Sequence, residues 1–176
     1  MSSLRVLLSE AQIQARVREM GSEIDRDFPN GNLHLICILK GACFFMSDLA
    51  RSLHIDAFVD FMGISSYGKS KTTSGEVKVT KDLDISLEGV DVLIVEDIVD
   101  SGITLNYLTQ LLRQRRPRSL EICALLDKPE RRQRPIPVKY VGFKIPDEFV
   151  VGFGLDYGEK YRNLADVCIL EPDTAA

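Results

Sequence analysis

Tryptophan is absent from this sequence, histidine occurs twice, and the four cysteines, Cys37, Cys43, Cys123 and Cys168, show no Cys-x-x-Cys spacing. With His34 and His54 as the only nitrogen ligands, the chain lacks the makings of a structural zinc site. Disulfide staples are not needed either, because a chain of 176 residues can bury roughly 70% of its unfolded surface unaided. The thiols therefore read as reduced core residues of a cytoplasmic protein. No apolar run approaches the roughly 20 residues that a spanning helix requires, and Met1-Ser2-Ser3-Leu4-Arg5 has no signal-peptide core. Excess charge is also missing: 22 Lys+Arg stand against 26 Asp+Glu, a net −4. That balance argues against a nonspecific grip on nucleic acid, and the clusters Arg113, Arg115, Arg116, Arg118 and Arg131, Arg132, Arg134 read as solvated faces. One soluble domain, with neither membrane nor nucleic-acid partner, is the expectation.

What is present alternates between two periods. Ser9 with Gln12 fits a capping box, and Ile13, Val17, Met20, Ile24 and Phe28 then recur at helical steps up to Pro29-Asn30-Gly31. Leu33 to Leu39 reads as a buried strand, Lys40-Gly41 as a loop, and Ala42 to Leu53 as a helix. Ala57 to Ile64 and Glu76 to Asp82 suggest two strands of an arm-like hairpin around the polar, flexible loop Ser65 to Gly75. Val92 to Val95 and Leu120 to Leu126 are apolar enough for interior strands, with a helix from Leu105 to Leu112 between them. Strand alternating with helix predicts an α/β fold, a central parallel twisted sheet flanked by helices. Tyr140 to Phe143 and Phe149 to Phe153 read as short strands capping the sheet's edge.

The stretch from Val92 to Leu105, VLIVEDIVDSGITL, sets Glu96 and Asp97 where an interior strand ends and a small polar loop begins. In an open α/β sheet that is the ligand-binding end. The loop Asp100, Ser101, Gly102, Ile103, Thr104 leads into a helix, whose first N–H groups favour an anion, and the two hydroxyls add donors. A monophosphate suits it, and the adjacent acid pair suits a sugar whose hydroxyls need acceptors or magnesium. A rival motif must be weighed: Gly63 to Ser70, GISSYGKS, satisfies the pattern of a P-loop. A P-loop launches a helix directly after its Lys-Ser, whereas Lys71-Thr72-Thr73-Ser74-Gly75 leads towards a strand.

Over nearly its whole length the sequence resembles the type I phosphoribosyltransferases, in particular the hypoxanthine-guanine branch. The motif VEDIVDSGIT carries the resemblance, supported by ILKGACFF, SSYGKSKTTSG, LLDKP and IPDEFVVGFGLDYGEKYRNL. It implies the type I phosphoribosyltransferase fold, a single domain over residues 1–176 with a small hood formed mainly by residues 1–8 and 140–176. It also implies transfer of a phosphoribosyl group from 5-phosphoribosyl 1-pyrophosphate (PRPP) to N9 of hypoxanthine or guanine. Glu96 and Asp97 would hold the ribose hydroxyls, Asp100 to Thr104 the 5′-phosphate, and Asp100 would be the general base near purine N7. Lys40 and Gly41 resemble the pyrophosphate loop, with a cis peptide at Leu39-Lys40, and Arg162 looks like a second pyrophosphate contact. Lys128 would donate to the purine 6-oxo group, Phe149 would stack on the ring, Val150 would offer backbone to its edge, and Asp156 would reach magnesium. Ser66 and Tyr67 would close over the reacting centre. Magnesium, held through Glu96, Asp97 and Asp156, and a homodimer or homotetramer complete the expectation. A regulatory RNA-binding relative of the same fold would instead use the Arg clusters.

Overall fold

The side chain of Ser9 accepts from the N–H of Gln12 while the Gln12 side chain returns to the Ser9 N–H at 2.9 Å, so the expected capping box starts α1, Glu10–Asp27. In the computed structural model, which describes residues 3–66 and 77–171, α1 buries Ile13, Val17, Met20 and Ile24. Five parallel strands follow from short apolar segments. β2 (Leu33–Leu39), β3 (Ala57–Ser66), β5 (Asp91–Val99), β6 (Ser119–Asp127) and β7 (Tyr140–Lys144) join the antiparallel β4 (Val77–Lys81) in the order β4-β3-β2-β5-β6-β7.

Period-two alternation divides the core between the two faces of this sheet. Leu33, Leu35 and Cys37, with Leu93, Val95, Cys123 and Leu125, pack under α1 and α2 (Cys43–Ser52). Ile36, Ile38, Ile94, Ile122 and Ala124 face the other way, against Leu105, Leu108 and Leu112 of α3 (Ile103–Arg113). Buried on both sides, the central strands read as unbroken apolar runs.

A second, three-stranded antiparallel sheet is built from β1 (Ser3–Leu8), β9 (Val167–Glu171) and β8 (Val150–Val151), in the order β1-β9-β8. Here the structure differs from the expectation. Tyr140–Lys144 is no part of this hood; it pairs in parallel with β6, Cys123 opposite Tyr140, as the edge of the large sheet. Residue alternation identifies a strand but not its neighbour, and Gly142 lets this one close on the Leu125 carbonyl, where a Cβ would collide. The β3–β4 hairpin forms as expected, while the Gly75 end of its connecting loop lies outside the described residues. The chain's four cysteines are free thiols.

Candidate active site

The strand order places β2 and β5 side by side, but the chain leaves β2 on one side towards β3 and returns on the other. Their C-terminal ends therefore form the switch point at which open α/β sheets leave a crevice. From β2 the crevice receives Lys40 and Gly41, after a cis Leu39-Lys40 peptide; from β5 it receives Glu96 to Asp100. Contact between the two ends is close, since a Cβ on Gly41 would strike the Asp97 carboxylate. Any larger residue there would have to displace that carboxylate.

Glu96 and Asp97 are only partly exposed, and Glu96 Oε2 is sealed from solvent without a hydrogen-bond partner. Burial raises the Glu96 carboxyl well above its usual range, and the neighbouring Asp97 charge raises it further. Asp97 is pushed up to about 6, again by burial first, against the opposing pull of the Ile98 N–H and of Arg162. Two desolvated acids side by side favour a ligand that brings donors or positive charge.

Beyond them Gly102 caps α3 in the left-handed region, φ +79°, with no side-chain cap. A Cβ there would press on the Arg134 carbonyl. The Ser101 hydroxyl accepts from the Ile103 N–H at 3.3 Å, and first-turn amides of a helix have no intrahelical acceptor. Glu96, Ile98, Val99, Asp100, Ser101, Gly102, Thr104 and Leu105 line a cavity of about 210 Å³. A second cavity of about 470 Å³ adjoins it, with Asp97, Lys128, Phe149, Val150 and Asp156 in its wall. Ile98 and Asp100 belong to both.

Most of the expected site residues thus converge on two neighbouring cavities. Phe149 is no core residue: it is 52% exposed and meets Tyr157 edge to face at 5.7 Å. Lys128 is buried, only 7% exposed. Arg162 is held by three acceptors, the Gly154 carbonyl at 2.8 Å, Asp156 at 2.9 Å and Glu159 at 3.2 Å. Lys40 reaches the same Glu159 at 2.9 Å, so Glu159 joins two residues expected to meet pyrophosphate. The sequence itself suggests Arg162 beside Glu159 as an ion pair, but not the Lys40 bond to the same Glu159, nor Arg131, Asp147 and Glu148 in the larger cavity. Ser66 ends β3, and Tyr67 lies outside the described residues.

The P-loop reading loses its context. Gly63 to Ser66 belong to β3 and pair with β4, so the motif begins inside a ladder instead of a loop; its Lys69 lies outside the described residues. Three of the clustered arginines have acidic partners: Arg115 pairs with Asp82 at 2.7 Å, Arg116 with Glu88 at 3.0 Å, and Arg118 with Asp91. Paired in this way, these three offer a nucleic-acid backbone little free charge. Among the described residues, no helix is long and apolar enough to cross a membrane.

Comparison with known proteins agrees with this geometry. The family model described as phosphoribosyl transferase domain matches residues 6–158. The hypoxanthine-guanine phosphoribosyltransferase of Bacillus subtilis (strain 168) is 51% identical over 170 residues, covering 96% of this chain and 93% of the relative. That of Mycobacterium avium is 49% identical over 173 residues, covering 95% and 85%. A crystal structure of a hypoxanthine phosphoribosyltransferase from Staphylococcus aureus superposes with a TM-score of 0.93 at 48% identity, covering 98% of this chain and 94% of that one. With an acid pair at the switch point, a small polar loop at a helix N-terminus beside it and matches spanning nearly the whole chain, this protein belongs to the phosphoribosyltransferase family.

Proposed function

We propose that this phosphoribosyltransferase salvages purines, moving the 5-phosphoribosyl group of PRPP to N9 of hypoxanthine or guanine and releasing pyrophosphate with IMP or GMP. The observation that carries the reading is the position of Asp100, on the wall common to a cavity lined by Ser101, Gly102 and Thr104 and a larger one that holds Lys128 and Phe149. A reacting bond between a sugar and a base belongs at such a boundary.

In this reading the amides and hydroxyls from Ser101 to Thr104 receive the 5′-phosphate, and the carboxylates of Glu96 and Asp97 accept from the ribose hydroxyls. Lys40, Gly41 and Arg162 hold the pyrophosphate and stabilise the charge that grows on it as the C1–O bond breaks. Asp100 accepts the proton from purine N7 as N9 attacks C1. Phe149 stacks on the base, and Val150 meets its edge through backbone groups. Lys128 donates to the 6-oxo oxygen, and adenine, with a 6-amino donor, would leave that lysine unmatched. Ser66 and Tyr67 cover the centre against water.

Magnesium suits the donor set. Glu96, Asp97 and Asp156 are hard oxygen ligands, the first two in a desolvated pair short of positive charge. Among the described residues no three such side chains form a ready cluster, so the expected trio would not hold the ion unaided; one or two of these carboxylates would bind it together with substrate phosphates and water. When bound, it would neutralise pyrophosphate oxygens. The domain spans 1–176 as one unit, and a soluble, cytoplasmic homodimer or homotetramer completes the proposal.

The test is PRPP-dependent formation of IMP and GMP by the purified protein; no turnover with either base refutes the activity. Asp100→Asn should lower kcat by roughly 10²-fold or more while PRPP affinity changes little. Unchanged turnover would remove the base from Asp100.

A further inference from the structure

Arg131 has no part in the activity described so far, yet the fold brings it to the proposed base from outside the motif that carries it. It ends a single 3-10 turn, Pro129–Arg131, directly after Lys128. The backbone on either side is stitched to the loop that holds Asp100. The Lys128 N–H donates to the Val99 carbonyl at 2.9 Å, and the N–H groups of Gln133 and Arg134 both donate to the Ser101 carbonyl, at 2.9 and 3.1 Å. These bonds bracket Asp100 and fix where the Arg131 side chain can reach.

Across that seam Arg131 Nε donates to Asp100 Oδ1 at 3.0 Å, and Arg131 Nη1 lies 3.6 Å from Asp147 Oδ2. All three side chains line the larger cavity. Asp147 stands two residues before Phe149, so the guanidinium spans from the base to the segment that carries the aromatic ring. With Arg131 51% and Asp100 44% exposed, the pair adds little to stability. Its effect is on orientation. A carboxylate on a short side chain rotates readily, and a donor fixed on Oδ1 halts that rotation and leaves Oδ2 as the open acceptor.

We infer that Arg131 is a positioning residue: it holds the Asp100 carboxylate by one oxygen and ties it to the Asp147–Phe149 segment, so that the other oxygen meets the incoming base in a set orientation. The inference rests on the purine transfer proposed above.

Steady-state kinetics of IMP formation test it, comparing wild type, Arg131→Ala, Asp100→Asn and the double variant, with thermal melts to confirm folding. Arg131→Ala should lower kcat on the order of ten-fold, the scale expected when a reacting group loses its alignment, with the KM for PRPP within about two-fold and the melting midpoint unchanged. In the Asp100→Asn background the same change should cost less than about two-fold, because a residue acting only through Asp100 has nothing left to align. An unchanged kcat in Arg131→Ala, a loss confined to KM, or losses that multiply in the double variant would each overturn the inference and leave the activity standing. A wild-type protein without turnover overturns both.

Discussion

Replacing Asp97 by asparagine should make the ligand-free protein harder to melt while disabling it. The carboxyl lies in a desolvated pair that raises it from 3.8 to about 6, roughly two units at about 1.4 kcal/mol each. Ionised Asp97 therefore costs the native state up to about 3 kcal/mol. Glu96 shares the same surroundings and both residues keep some exposure, so about 1–3 kcal/mol should be recovered. The sign follows from proton counting. The native state binds more protons than the unfolded chain between about pH 4 and pH 6, so stability falls as pH rises through that window and stays lower above it. Asparagine retains an oxygen for the Ile98 N–H, which now donates to Asp97 at 2.7 Å, and carries no charge. Melts followed by circular dichroism in chelator should show a midpoint about 3–8 °C above wild type at pH 8, and almost no difference near pH 4, where both side chains are neutral. A gain of equal size at both pH values, or a loss at pH 8, would refute the reasoning. Turnover of the variant should drop at least ten-fold.

Three further outcomes are expected. Gly41→Ala forces a methyl group into the Asp97 carboxylate and should cost about 1–3 kcal/mol of stability by chemical denaturation and most of the activity. Lys128→Met keeps the volume of a buried chain but removes its donor, so the ratio of hypoxanthine to adenine turnover, measured side by side, should fall by on the order of 10². Ser9→Ala removes the capping box of α1 and should lower the unfolding free energy by about 1 kcal/mol, with kcat unchanged.

Much of the fold was legible because local chemistry and tertiary structure agree. The Ser9–Gln12 box and the spacing from Ile13 to Ile24 describe α1 with no knowledge of what covers it. The run through Val95 needs no alternation, since both faces of β5 are buried. The motif from Glu96 to Thr104 is contiguous, so its residues could be read together. Tyr140–Lys144 was misplaced because strand pattern carries no information about pairing, and its partner β6 lies beyond a proline-containing connection. The contacts that escaped are those between distant segments: Lys40 with Glu159 is separated by 119 positions and Arg131 with Asp100 by 31. Charged side chains at a surface look alike in a sequence until the fold chooses their neighbours.

The hood ladder has a consequence for how the molecule comes into being. Ser3 and Glu171, hydrogen-bonded at 2.7 Å, are 168 positions apart, so β1 is made well before β9 and waits, unpaired, while the large sheet is synthesised. The large sheet can assemble from nearer neighbours in the meantime, while closing so long a span is entropically slow. The loop from Asp100 to Thr104 would thus fold in the nascent chain before β8, which carries Val150, gains its partner β9.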